Sequence, residues 1–357
     1  MVSLRFSKML SKSFLLLVVV LWNARVSVGY AKLAPVSVTQ LTFDKGANQQ
    51  PTWSPNGSRI AYMRGGEIWS VALDGQGKTL IASLEYTEGL DLEWPKWNPL
   101  DANQLIASGF DFIDGGGRDL YKIDCQGTTT KITSNGESVV PSWKPDGSRI
   151  VFSIGDYSGF LYEGNGTRDF DLWTIKPDGS ELHRLYGQRG VWEWQAAWSP
   201  DGKRIAYVAS LLSTNPVRYS HEIRILDMAT LESELLLSLG SRWPTGLSWT
   251  PSGDGLVFSM EGHIWYVNSD GSGLEVLIEE DGASYPSVSP DGLRLAFQKQ
   301  VTYPDPITEA SVNIYLATFN KPIPEFSSAH VVTLLAIVIL SFALLRFNSK
   351  ASQSRRS

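Results

Sequence analysis

The strongest constraint on this chain of 357 residues is a phrase that returns six times. Its copies are centred on Trp53-Ser54-Pro55-Asn56-Gly57, Trp97-Asn98-Pro99, Trp143-Lys144-Pro145-Asp146-Gly147, Trp198-Ser199-Pro200-Asp201-Gly202, Trp249-Thr250-Pro251-Ser252-Gly253 and Val288-Ser289-Pro290-Asp291-Gly292. In each, proline presets φ for a tight turn, and in the first, third, fourth and sixth an Asp/Asn-Gly pair supplies positions that tolerate positive φ. An apolar strand follows, as in Ile60-Ala61-Tyr62 or Ile150-Val151-Phe152. After a variable loop comes a third strand of the type Asp171-Leu172-Trp173-Thr174-Ile175. A second turn, such as Asp74-Gly75, Asp178-Gly179 or Asp270-Gly271, leads to a fourth. Four short strands in a unit of this length are one blade of a β-propeller. The period-2 pattern and the density of turns exclude a helical solenoid.

The predicted fold is therefore all-β: a six-bladed β-propeller with four-stranded antiparallel blades over residues 37–319. The sixth unit has three strands of its own, ending near Val312 to Phe319. The segment Ser37 to Phe43 matches the outer-strand type and is expected to complete the last blade. Such a closure hides two sheet edges that would otherwise recruit other chains.

The phrase Trp-Ser-Pro-Asp-Gly-x-x-Ile-Ala-Tyr, followed by a strand of Asp-Leu-Trp type and a further Asp-Gly, resembles the TolB-like, WD-repeat-like six-bladed propeller repeat. Gly255 in place of arginine and Val288 in place of tryptophan depart from the pattern without breaking it. Members of that group commonly serve as interaction scaffolds, so the resemblance implies a binding module rather than an enzyme.

The two ends predict location. Residues 1–30 read as a signal peptide, with Arg5, Lys8 and Lys12 before the apolar run Phe14 to Trp22 and small residues Ser27 and Gly29 near a cleavage site. Residues 320–325 form a linker and 326–347 an anchor, in which the uncharged apolar run Phe326 to Leu345 is followed by Arg346, Lys350, Arg355 and Arg356. That run is long enough to cross roughly 30 Å of hydrocarbon as a transmembrane helix. The basic residues at 348–357 place the tail in the cytoplasm and the propeller outside the cell membrane. The segment Ile323-Pro324-Glu325-Phe326 also resembles the anchor segments of archaeal surface proteins that end in a Pro-Glu-Phe sorting signal.

Eight of the 31 Lys and Arg residues lie in residues 1–30 and 326–357, and none of the 37 Asp and Glu. That leaves 23 basic against 37 acidic side chains between them, a net charge of −14. Such a surface repels phosphate backbones and argues against nucleic-acid partners. Cys125 is alone, so no intramolecular disulfide forms, and its place in a turn suits a neutral substitution better than a reactive thiol.

Strand order places the loops between strands four and one, and between two and three, on one face, here called the top. Aromatic and polar residues cluster in those segments: Glu93 and Trp94; Tyr157 and Tyr162; Trp192, Glu193 and Trp194; Arg218, Tyr219 and His221; Trp243; and Tyr285. Flat apolar rings among polar groups suit an extracellular protein, peptide or glycan. The alternatives are a propeller-type polysaccharide lyase or hydrolase, with His221, Arg218 and Glu193 as its core, or a structural part of a surface layer. No cofactor is expected. The acidic clusters and the four histidines lack metal-ligand spacing, and no nucleophile elbow occurs. Asn165 and Asn56 are candidate glycosylation sites, with Asn56 equally suited to its turn.

Overall fold

The repeated turn is built by its own side chains. In the fourth unit Ser199 N–H donates to the Arg204 carbonyl at 2.8 Å and Gly202 N–H to the Ser199 carbonyl at 2.9 Å. Asp201 accepts from Ser199 Oγ at 2.5 Å and from Lys203 N–H at 3.1 Å. These bonds, the Ser199 hydroxyl foremost, hold its carboxyl below the usual range. Gly202 sits at φ 67°, which a β-carbon disfavours.

A computed structural model describes residues 34–44, 46–83, 90–111, 117–156, 169–214, 217–301 and 311–323. The expected leader, the apolar C-terminal run, the basic tail, Tyr157, Tyr162 and Asn165 lie outside these residues. Among the described residues no helix is long and apolar enough to cross a membrane.

Twenty-four strands are described. The first is β1 (Ser37–Gln40). The first repeat unit contains β2 (Asn48–Trp53), β3 (Arg59–Arg64), β4 (Glu67–Ala72) and β5 (Thr79–Ala82). The second contains β6 (Leu90–Trp97), β7 (Gln104–Asp111), β8 (Gly117–Asp124) and β9 (Thr129–Lys131). The third contains β10 (Ser138–Trp143), β11 (Ile150–Asp156), β12 (Asp169–Ile175) and β13 (His183–Tyr186). The fourth contains β14 (Val191–Trp198), β15 (Arg204–Thr214), β16 (Val217–Asp227) and β17 (Ser233–Gly240). The fifth contains β18 (Thr245–Trp249), β19 (Gly255–Met260), β20 (His263–Asn268) and β21 (Glu275–Ile278). The sixth supplies β22 (Ala283–Val288), β23 (Arg294–Val301) and β24 (Ser311–Thr318).

Neighbours in sequence pair antiparallel, which gives an all-β propeller of small antiparallel blades. The count of separate sheets differs from the six expected. Four sheets have four strands, and the third and fourth units share one sheet of eight. They are joined by a single parallel pairing, Phe170 opposite Trp192, where β14 starts alongside the beginning of β12.

The closure is the one expected from the repeat count. β1 pairs antiparallel with β24, from Ser37 opposite Thr318 to Gln40 opposite Tyr315. The strand is shorter than expected, but Leu41 N–H still reaches the Ile314 carbonyl at 2.8 Å. Behind it Asn313, 1% exposed, accepts from Thr42 Oγ1 at 3.1 Å and from Asn48 Nδ2 at 3.2 Å. Thr42 Oγ1 in turn accepts from Ile314 N–H at 2.9 Å. Asn313→Ala leaves these buried groups without their partner and is expected to cost about 2–3 kcal/mol in urea unfolding. A loss below about 0.5 kcal/mol would show that the clasp contributes little to closure.

Packing explains why the phrase carries tryptophan and arginine. Trp143 donates its indole N–H to the Lys96 carbonyl of the previous unit at 3.2 Å, and Trp249 to the Ala197 carbonyl at 2.9 Å. Trp53 reaches the Ser287 carbonyl of the last unit at 2.8 Å, so the same staple spans the closure. Arg204 lies over Trp249 at 4.8 Å and Arg294 over Trp53 at 5.5 Å, each capping the ring of the following unit. The buried clusters straddle neighbouring sheets: Ala61, Ile68 and Ile81 of the first unit pack with Leu92, Leu105 and Ile123 of the second.

Candidate functional site

Each inner strand is interrupted at the same place. Three residues before the repeat tryptophan or valine, the chain takes positive φ: Gln50 at 56°, Trp94 at 52°, Val140 at 54°, Gln195 at 52°, Gly246 at 68° and Tyr285 at 50°. The strand register slips there in every unit. Bulges of this kind re-aim a side chain and leave an amide free of the ladder. Neighbouring units take up the amides of Gln50, Trp94, Gly246 and Tyr285. Trp94 N–H donates to Gln50 Oε1 at 2.6 Å, and Gly246 N–H to Gln195 Oε1 at 2.7 Å.

The bulges open two cavities. One, of about 600 Å³, is lined by Trp94, Phe110, Arg118, Glu137, Val139, Val140, Phe170, Trp192, Trp194 and Trp243, with Gly117 and Gly136 at its edge. It lies where inner strands begin, second strands end and third strands start, the face called the top above. Arg118 stands over Phe110 at 5.0 Å and over Trp94 at 5.9 Å, and Glu93 holds it by a bond of 3.1 Å to Nε. Gly117 has no room for a side chain, since a β-carbon there would lie 2.7 Å from Gly136 Cα. The second cavity, of about 400 Å³, runs along the inner strands of all six units. Trp94 and Val140 line both.

The structure unites four of the expected residues, Trp94, Trp192, Trp194 and Trp243, around the first cavity. Glu93 acts through Arg118. Tyr219 and His221 extend a ladder of rings from Phe170 through Trp192 to Trp243 and Trp194, with centroid spacings from 4.3 to 6.4 Å. Tyr285 faces the other cavity. Arg218 is exposed and pairs opposite Ser213 near the tip of the long β15–β16 hairpin. Asn56 is exposed, and its Oδ1 accepts from Ser54 Oγ, Ser58 N–H and Ser58 Oγ, as a turn residue does.

Several of these residues were expected in loops and are found in strands. Arg218, Tyr219 and His221 belong to β16, and Trp192 to Trp194 belong to β14. The pairing of Ser210 with His221 and Leu211 with Ser220 extends regular ladder through the segment read as a loop. Phe110, Arg118, Glu137 and Phe170 were missed as lining residues. Arg118 and Phe170 begin third strands just after variable loops, and that position is the signal that could have found them.

His221 is 2% exposed, and burial holds its imidazole below the ordinary value. Its Nδ1 lies 2.8 Å from Ser210 Oγ, which also receives the Trp194 indole N–H at 3.2 Å. Ser210 Oγ has two acceptor positions, so besides the indole N–H it takes part in the bond to Nδ1 as donor or as acceptor according to the imidazole tautomer. Ser210 is only 1% exposed, so this chain of bonds fixes the rings of the ladder rather than presenting a nucleophile.

Glu193 is fully buried, and burial pushes its carboxyl up to about 8. Oε1 accepts from Gln188 N–H at 2.9 Å, and Oε2 has no partner among the described residues. His221 and Glu193 are thus enclosed while Arg218 is open to solvent, so the three do not converge on an accessible mouth. Among the described residues no group of three or more His, Cys, Asp and Glu could hold a metal ion.

Comparison with known proteins agrees with this architecture. An uncharacterized protein of Agrobacterium fabrum is 25% identical over 182 residues, 48% of this chain and 56% of that protein. The chain thus spans about half the length of that relative. The crystal structure of TolB from Acinetobacter baumannii superposes with a TM-score of 0.53 at 19% identity, covering 67% of this chain and 56% of that one. The oligogalacturonate lyase of Vibrio parahaemolyticus superposes with a TM-score of 0.53 at 18% identity, covering 80% of each chain. At such identities these likenesses speak to fold alone. The family model for the TolB beta propeller domain matches residues 38–290, the region that carries the staples, the bulges and both cavities, and the chain belongs to that family.

Proposed function

We propose that this protein is a cell-surface binding module: a six-bladed disc whose top face holds an extracellular protein, peptide or glycan. The observation that carries the reading is the cavity of about 600 Å³ walled by four tryptophans and two phenylalanines around the tethered Arg118. Rings of this kind supply apolar area at little entropic cost, and a single charged group orients what lies on them. The six-blade count rests on the six equivalent bulges and on the two antiparallel runs of four within the eight-stranded sheet. The external location, with a leader at 1–30 and a helical anchor at 326–347, rests on the apolar runs and flanking charges at the two ends.

A catalytic reading, as a polysaccharide lyase or a hydrolase, has one observation on its side: the Ser210–His221 bond beside the cavity. Both side chains are buried, which favours binding over turnover.

Panels of peptides and oligosaccharides test the proposal. Trp243→Ala and Arg118→Ala are each expected to weaken the bound ligand by about 10- to 100-fold, with unfolding midpoints close to wild type. Ligands that bind equally well to both variants would remove the top-face site. Turnover of an oligosaccharide, abolished by His221→Ala, would replace it with the catalytic reading.

A further inference from the structure

The axial cavity of about 400 Å³ has a charge pattern that the top-face site does not use. The residue just before each repeat tryptophan or valine lines it: Thr52, Lys96, Ser142, Ala197, Ser248 and Ser287. Five are small, and one is a lysine. Lys96 is the sole charged residue of the described lining, which contains no Asp or Glu. Its ammonium makes no hydrogen bond or ion pair among the described residues. Desolvation alone lowers it to about 8, with no neighbouring charge contributing. Lys96 is half-buried rather than sealed from water, and a cation even partly desolvated without a counter-ion is costly, so folds ordinarily pair it.

The surrounding polar groups are biased toward donating. Ser248 Oγ already accepts Val288 N–H at 3.1 Å, and Ser142 Oγ accepts Trp198 N–H at 3.5 Å, which leaves each hydroxyl proton to be given elsewhere. Gln50 and Gln195 spend their Oε1 atoms on the bulge amides of Trp94 and Gly246, which leaves their Nε2 groups as donors. The residues that carry an ammonium, two hydroxyls and two carboxamide N–H groups therefore line one cavity without a competing carboxylate.

We propose that the axial cavity is a binding site for a small carboxylate, with Lys96 as its counter-ion. Charge-assisted bonds to a carboxylate satisfy these donors together. The Pro and Trp walls around them suit a short carbon skeleton. The carboxylate could belong to a free organic acid or to a ligand that also lies in the top-face cavity, since Trp94 and Val140 border both spaces.

The test uses thermal unfolding in malonate, in indole-3-propionate and in the neutral analogue malonamide, at constant ionic strength. Wild type is expected to show a saturable rise of roughly 5 °C at a hundredfold excess of a bound acid over its Kd, and none with malonamide. Lys96→Met should abolish the rise and Lys96→Arg should retain it. Malonate that still acts on Trp243→Ala identifies a free acid. A response to indole-3-propionate alone, weakened by Trp243→Ala and abolished by Lys96→Met, identifies a ligand shared with the top face.

In wild type, the NMR signal of the Lys96 ε-methylene should titrate at higher pH when the acid is added, a readout that needs no variant. The proposal is overturned if Lys96→Met responds as wild type does, or if neither acid moves the wild-type midpoint or the Lys96 signal. Loss of top-face binding in Trp243→Ala with malonate binding intact would leave the axial site standing on its own.

Discussion

Gly246→Ala is expected to destabilise the protein by about 3–5 kcal/mol, the largest effect of any single methyl group added to the bulge ring. Gly246 stands at φ 68°, where an L-residue is strained by about 1–2 kcal/mol. The other five bulges carry side chains at similar φ, so the angle alone does not require glycine. The difference is the next unit. A β-carbon at 246 would lie 2.5 Å from Tyr285 Cα and 2.8 Å from Pro286 Cδ, both held by the neighbouring inner strand. Neither can withdraw without moving β22, and the bond from Gly246 N–H to Gln195 would be disturbed with it. Gly65→Ala is the control, because its φ is 58° but nothing lies within 4 Å of an added β-carbon. It should cost about 1–2 kcal/mol. Equal losses for the two variants in urea unfolding would refute the steric account.

Glu193→Gln is expected to remove most of a pH dependence of stability between about pH 4.5 and 8. The folded carboxyl, pushed up to about 8, keeps its proton across a range in which the unfolded chain has lost it. The native state therefore binds more protons there. The stability tied to this group is fully present below about pH 4.5 and is lost as pH rises through 8. At about 1.4 kcal/mol per pH unit the loss is on the order of 2–4 kcal/mol, and an amide has no charge to bury. Several groups face this carboxyl. Gln188 N–H donates to it, Asp171 pushes it further up, and Arg184, itself paired with Asp171 at 2.6 Å, pulls it down. His221, held low by burial, works in the opposite direction, so the quantity to measure is the difference between variant and wild type at each pH. Parallel stability curves from pH 5 to 9 would mean that Glu193 is ionised in the fold.

The repeat determined the order of the strands, their turns and the closing role of the segment that begins at Ser37, though not how far β14, β15 and β16 extend. These follow from local rules: proline and glycine dictate turn geometry, and alternating burial dictates which face of each strand is apolar. Six recurrences of one phrase then left a single way to hide the two open edges. Tertiary structure decided the rest. Positive φ at Gln50, Val140 or Tyr285 runs against the preference of those residues, and neighbouring units impose it through bonds such as Trp94 N–H to Gln50. The same bulges turn Trp94 into two cavities at once and bring it beside Arg118 and Phe110, while Trp192 meets Phe170 across the join of two units. Likewise Lys96, one substitution in a row of small residues, becomes a cation without a partner among the described residues only where six inner strands meet around one cavity. Periodicity is a property of each segment taken alone, whereas a cavity belongs to segments that meet across the ring, and contacts of that range are set by packing.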